Sequence, residues 1–342
     1  MLYANGEELM KFSVETVNKF LEYTSKERSL SSICLEMEMN PYEVLGLVNF
    51  IKSKGINIAM KKTGNDIYML NMGDKEFIEK NVYQFETNEF DEFKFIIIAD
   101  TRLGSKSQQL SILNDIYSKG HEMGYDNVIL CGNISAGLYP LTNVYAETNF
   151  VNDTYDQIDY IVKHYPRVDG MKTYFITGKI DDSHLSRNKI NIGKRIAEMR
   201  DDMIYLGENS CDLIIDDTVM RLFSSKLSKT YTVSYRTQQQ AVAFRSEDKP
   251  DIMLYGGLLQ SEQFTYRGIK IFSVPSVCAT TKEMQEKRYS NTIGAWYVKI
   301  RTNKKGKLEK INALSSLYYQ TNKDDYLNAK VLKDTEKVKK LV

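Results

Sequence analysis

The octapeptide FKFIIIAD, residues 93–100, is the stretch that decides the fold. Apolar side chains fill it almost without interruption until Asp100 closes it. A strand with one face in water alternates apolar and polar residues. A run like this one belongs to a strand covered on both faces, inside an α/β layer structure. The acid at its C-terminal end falls where open α/β sheets place their functional loops. The texture repeats downstream: NVILCGN (127–133), TYFITG (173–178) and DIMLYGG (251–257) are short apolar runs that stop in a glycine. Helical periodicity separates them, in SQQLSILNDIYSKGHEMG (107–124), DTYDQIDYIVKHY (153–165) and IGKRIAEMRDD (192–202). MIYLG, DLIID and VMRLFSS read as further strands, and SYRTQQQAVAF as a helix. QFTYRGIKIFSVPS reads as strand structure again, and GAWYVKIRTNKKGKLEKIN (294–312) as a closing hairpin around Lys304–Gly306. The region is a layered α/β sandwich, with its loops at the strand ends.

Composition narrows the function classes. The 342 residues carry 46 basic and 45 acidic side chains, so no global charge pulls the chain to nucleic acid or membrane, and any such contact must be local. The 23 tyrosines are read chiefly as packing residues. Cys34, Cys131, Cys211 and Cys278 are scattered without finger or redox spacing and are expected as reduced, mostly buried thiols of a cytoplasmic protein. The N-terminus lacks the pattern of a secretion signal. No window reaches the roughly 18 apolar residues of a membrane span. No phosphate-cradling glycine loop, nucleophile elbow or internal repeat is present.

Residues 1–72 read as a separate small unit. EELMKFSVETVNKFLEYT has helical spacing from Leu9 to Leu21. SLSSICLEMEM is a second helix that Ser29 or Ser31 could cap. NPYEVLGLVNFIKSKG is a third, with Asn40 as cap, Pro41 in the first turn and Gly55 as stop. INIAMKKTGNDIYML then alternates as a hairpin around Thr63–Asp66. Three helices followed by a hairpin resemble a winged helix-turn-helix. That resemblance implies a third helix set in a DNA groove through Tyr42, Asn49 and Lys52, with Lys61 and Lys62 of the wing on phosphates. Charges in this unit nearly cancel, which weakens DNA binding, and the same unit could serve protein contacts instead. Residues 73–91 are read as a charged connector, 92–314 as the large domain, and 315–342 as a tail ending in Lys333, Lys337, Lys339 and Lys340. The tail is expected either to dock through Leu317, Tyr318 and Tyr319 or to hang loose.

IIIADTRLGS, ILCGNISAG, YFITGKIDDSH and IMLYGGLLQ follow the order and spacing of the calcineurin-like metallophosphoesterases, over about residues 93–300. YPRVDGMKTYFITG and YTVSYRTQQQ resemble bacterial and phage members that carry an N-terminal winged helix. The resemblance implies a four-layer α/β/β/α sandwich and a two-metal phosphate-cleaving site, which needs carboxylate, imidazole and amide ligands. Residue by residue, this chain departs from that set. Asp100 matches the first carboxylate. Arg102 stands at the first His, Asn133 at the bridging Asp, Lys179 at the amide ligand and Ile180 at the His that assists the leaving group. Asp181 matches the acid that orients that His, Ser224 aligns with a lone His, and Gly257 and Leu259 take the last two His positions. His121 and His164 fall in helices, and His184 is off the motif and expected to be solvated.

The sequence therefore supports a catalytically inactive phosphoesterase-like protein with no metal and no cofactor. Its expected role is that of a DNA-associated or complex-building factor in phage or bacterial DNA metabolism, with a protein partner and an oligomeric state left open. Arg102 or Lys179 is expected to pair with Asp100 where metals would sit, or the two cations could hold a phosphate without cleaving it. Two other readings stay open. One is an active phosphoesterase or nuclease on a single-metal site of Asp100, Asn133, Asp181 and Asp182. The other is a winged-helix transcription regulator whose large domain senses a nucleotide.

Overall fold

A computed structural model describes residues 12–53, 56, 58–63, 66–71, 82–139, 143, 146–224, 233–244, 248–323 and 325–327. The chain divides into two units, Met1–Lys80 and Asn81–Val342.

The first unit holds α1 (Val14–Tyr23), β1 (Arg28–Ser29), α2 (Leu30–Met37), α3 (Pro41–Ser53), β2 (Ile58–Thr63) and β3 (Asp66–Asn71). Each helix starts on the kind of residue that can satisfy its free N–H groups. Ser13 accepts from the Thr16 N–H and Ser29 from the Ser32 N–H. Asn40 and Glu43 cap reciprocally, side chain to backbone, at 3.0 and 2.8 Å. The strands form one antiparallel sheet in the order β1-β3-β2. Val17, Phe20, Leu21, Ile33, Val44, Leu47, Val48 and Ile51 bury the inner faces of all three helices against Ile58 and Met69 of the hairpin. The β1 pairing was not legible in the sequence, because two residues carry no period. Leu9, Gly55, the Gly64–Asn65 tip of the hairpin and residues 73–81 of the expected connector lie outside the described residues.

The second unit begins with a correction. Residues 82–91 are not connector: β4 (Val82–Phe85) pairs in parallel with a strand of the large domain. Tyr83 and Phe85 pack on the core between its sheets, which is what holds this polar-looking stretch in place.

Two six-stranded sheets follow. One contains β5 (Glu92–Ile98), β6 (Asn127–Cys131), β7 (Lys172–Thr177), β8 (Met203–Glu208), β14 (Gly294–Thr302) and β15 (Leu308–Leu317), in the order β15-β14-β5-β6-β7-β8. The other contains β4, β9 (Ser210–Ile215), β10 (Thr218–Ser224), β11 (Ile252–Gly256), β12 (Glu262–Tyr266) and β13 (Ile269–Ser273), in the order β12-β13-β11-β10-β9-β4. The octapeptide lies mostly in β5 and sends alternate residues to opposite layers. Phe95 and Ile97 join Ile129, Ile176, Leu222, Leu254 and Phe272 between the sheets. Ile96 and Ile98 face helices α4 (Leu110–Glu122), α5 (Thr154–His164) and α7 (Ile192–Met199) on the outer side. Each fully buried isoleucine contributes roughly 1.5–3 kcal/mol. On the far side, Ala241 of α8 (Val233–Ala243) packs on Met253, Ile269 and Ile271. Helices, sheet, sheet and helix thus make four layers. Two short helices were not foreseen, α6 (Asp182–Asn188) and α9 (Lys282–Glu286).

The expected tail starts inside the fold. β15 runs to Leu317, and the Tyr318 hydroxyl donates to Asp115. Asp325 is buried and accepts from the Leu110 and Ser111 N–H groups that open α4. Tyr319 is exposed, so docking runs through Leu317 and Tyr318 and not through it. The lysines of 328–342 lie outside the described residues.

Candidate functional site

The loops that leave β5, β6 and β7 converge at one end of the sandwich. The first two are laced together: the Asp100 N–H donates to the Gly132 carbonyl, Arg102 to Asn133, Leu103 to Ile134, and Ala136 back to Leu103. Asp100, Arg102 and Asn133 sit there with φ of 54, 45 and 59°, and Leu259 with 62°. Left-handed backbone at a non-glycine residue is a strained arrangement that concentrates at functional loops.

The sheets also pinch together here. A Cβ on Gly132 or on Gly178 would lie 2.3 Å from the Ser224 Oγ at the end of β10. Ser224 is buried and its hydroxyl has no hydrogen-bond partner among the described residues.

Asp100 is fully buried. Its Oδ1 accepts from the Asn133 Nδ2 at 2.9 Å and from the Arg102 Nη2 at 3.2 Å. Its Oδ2 has no partner among the described residues. The other end of Asn133 is engaged as well, since its Oδ1 accepts the Ile180 N–H at 3.0 Å. Arg102 is buried too. Burial acts to lower its pKa, but the adjacent Asp100 carboxylate and its hydrogen bond act the other way, and the guanidinium stays charged. Of the two cations expected to meet Asp100, Arg102 does so, and Lys179 is exposed.

Asp181 sits behind this cluster. It accepts four hydrogen bonds: from the N–H groups of Ile134, Ser135 and Gly178, and from the Ser135 hydroxyl. It ties the second loop to the third. Burial pushes its pKa up to about 6 against the pull of those donors. His184 corrects the expectation of a solvated side chain: it is fully buried, with Nε2 3.1 Å from the Ser135 Oγ and Nδ1 3.0 Å from the Thr154 Oγ1. α6 turns it inward, a consequence invisible without that helix. Burial pulls its pKa down to about 4.

The two groups act oppositely on stability in acid. The depressed His184 value means stability is lost as pH falls from its ordinary 6.5 towards 4. The raised Asp181 value means stability is gained as pH falls from about 6 towards 3.8. Replacing His184→Gln should therefore cost melting temperature at pH 7.5, and that deficit should shrink or reverse at pH 5. Parallel thermal melts at the two pH values check this, and an unchanged deficit refutes it.

The remaining candidates divide. Leu259 is fully buried with Cys278 and Met284, and Gly257 lies in the same buried loop, so these positions supply packing and backbone. Tyr42, Asn49, Lys52, Lys61 and Lys62 of the first unit are all exposed, and the Lys52 Nζ rests 3.5 Å from the Met60 sulfur. Among the described residues, no group of three or more His, Cys, Asp or Glu side chains is placed to hold a metal ion. A cleft of about 310 Å³ opens over the cluster, with Arg102, Asn133, Lys179 and Ile180 in its wall. Sequence reasoning missed its other walls, from α6 and α9. Those helices are too short to show a hydrophobic period.

No protein-family profile and no curated protein matches the chain. Solved structures that match include phosphoesterases and Vps29 proteins, at low similarity. A novel archaeal phosphodiesterase is 11% identical, covering 66% of this chain and 100% of that one, with a TM-score of 0.36. Vps29 of Entamoeba histolytica, complexed with zinc, is 11% identical over 66% of this chain and 99% of that one, at 0.33. A predicted phosphoesterase of Streptococcus pneumoniae is 11% identical over 66% and 98%, at 0.30. No helix among the described residues is long and apolar enough to cross a membrane.

Proposed function

We propose that the chain is a metallophosphoesterase-like protein that has lost catalysis and serves as a scaffold or regulatory factor. One observation carries the reading: the Arg102 guanidinium and the Asn133 amide both donate to the same oxygen of buried Asp100. A divalent cation there would be set against a fixed positive charge, with one free carboxylate oxygen to hold it. The single-metal alternative draws no support from Asn133 or Asp181. The Asn133 carbonyl oxygen is engaged by the Ile180 N–H, and both Asp181 oxygens are held by loop donors. Purified protein should show no hydrolysis of an aryl phosphate with manganese present, and no stoichiometric transition metal by elemental analysis. Turnover that Asp100→Ala abolishes, or two bound metal ions per chain, would overturn the proposal.

The first unit is read as a winged-helix head. Among the described residues of this unit, six basic side chains, exposed Lys52, Lys61 and Lys62 among them, stand with seven acidic ones, so few counterions are released on a phosphate backbone. Exposed Leu35 and Tyr42 add apolar surface on α2 and α3. That balance favours a protein contact over DNA. A phage or bacterial DNA-metabolism setting remains part of the proposal, resting on the sequence resemblance.

A further inference from the structure

The cleft over the Asp100 cluster has features that neither a vacated catalytic site nor a scaffold requires. Its charge can be counted. Arg102 is offset by Asp100, and Lys287 of the segment after α9 is offset by Glu283. That leaves Lys179, beyond β7, and Arg187, in the last turn of α6. Neither makes an ion pair among the described residues, and both are exposed in the cleft wall. The uncompensated charge is thus that of two cations. A phosphate monoester carries about −1.5 to −2 at neutral pH, which matches it, whereas a longer polyphosphate exceeds it.

The rest of the wall is not built for a bare ion. Tyr139 and Tyr289, both half-buried, line it with Leu138 and Ile180. A volume of about 310 Å³ is in the range of sites that enclose small organic ligands, and an inorganic anion would leave the apolar part wet. Aromatic rings beside cations suit a planar, polar ring system joined to a phosphate. Ser183 is already committed, its hydroxyl donating to the Ile180 carbonyl and accepting from the Leu138 N–H, so it steadies the wall.

We propose that this cleft binds a nucleoside monophosphate without a metal ion, the phosphate between Lys179 and Arg187 and the base against Tyr139 and Tyr289. Retention of the bound ester uncleaved rests on the silent-site reading above; the binding itself does not.

The test is calorimetric titration of the EDTA-treated full-length protein with AMP, and with inorganic phosphate and adenosine as half-ligands. AMP should bind at least about tenfold tighter than either half. Lys179→Glu combined with Arg187→Glu should weaken AMP by about 100-fold or more, two charge-assisted contacts being lost. Both residues are exposed, so the variant should melt at the parent's temperature. Phosphate binding as tightly as AMP, adenosine binding as tightly as AMP, or no AMP binding in EDTA would each overturn the proposal. Chromatography of the titrated sample separates the two claims. Intact AMP agrees with both. Adenosine and phosphate as products would overturn the silent-site reading and leave a demonstrated nucleotide site.

Discussion

Arg102→Ala is expected to destabilise the large unit by about 3–5 kcal/mol, the cost of removing one partner from a buried charge pair. For a unit of this size that is a fall of about 6–10 °C in melting temperature. The cause is what the substitution leaves behind. Asp100 is fully buried, its Oδ2 already lacks a partner, and its Oδ1 would keep only the Asn133 amide. The guanidinium is the only cation that pairs with Asp100 among the described residues. The effect should be non-additive: Asp100→Ala with Arg102→Ala removes both charges, and should be less destabilised than Arg102→Ala alone. A double-mutant cycle by denaturant unfolding checks both statements. A single variant that melts within about 2 °C of the parent, or a double variant that is simply the sum, would show the pair to be structurally idle. The result also bears on function, because a cation that holds this space for stability cannot be given up to a metal at no cost.

The large fold was legible because its central strands are covered on both faces, which turns alternation into runs such as FKFIIIAD, and because each run stops at a turn residue. The positions of Asp100, Arg102, Asn133, Lys179 and Asp181 around one end of the sheet follow directly from those stops. What the residues do there was only half legible. That a cation would meet Asp100 could be argued from charge; that Arg102 and not Lys179 does so depends on the left-handed backbone at residues 100 and 102, which strand patterns do not encode. β4 was hidden because four residues among acids show no period, and only its partner β9 reveals it. α6 and α9 were hidden for the same reason. With α6 went the burial of His184 and the placing of Arg187, so the cleft could not be assembled from sequence.

Gly256→Ala should be nearly as damaging as the loss of Arg102, for a steric reason. A Cβ at Gly256 would lie 2.1 Å from the Cys131 carbonyl oxygen and 2.7 Å from the Cys131 Cβ. Gly256 ends β11 in one sheet, in register with Ser224; Cys131 ends β6 in the other, in register with Ile176. The clash is with backbone held by a ladder, so it can be relieved only by moving the sheets apart at the very end that carries the site. Overpacking a core costs typically 1–3 kcal/mol and sometimes more, and a fixed carbonyl puts this case at about 3 kcal/mol or above. Gly178→Ala supplies the contrast. Its Cβ would meet the Ser224 Oγ at 2.3 Å and the Asn133 Oδ1 at 2.5 Å, both of them side-chain atoms. Ser224→Ala should therefore restore part of the stability lost in Gly178→Ala, whereas Cys131→Ala should restore little in Gly256→Ala, since the carbonyl remains. Urea unfolding of the four variants and the two pairs decides it. If Cys131→Ala rescued Gly256→Ala fully, or if Gly256→Ala unfolded within about 1 kcal/mol of the parent, the sheets would not be in backbone contact at this end, and the closeness that shapes the floor of the site would have to be abandoned.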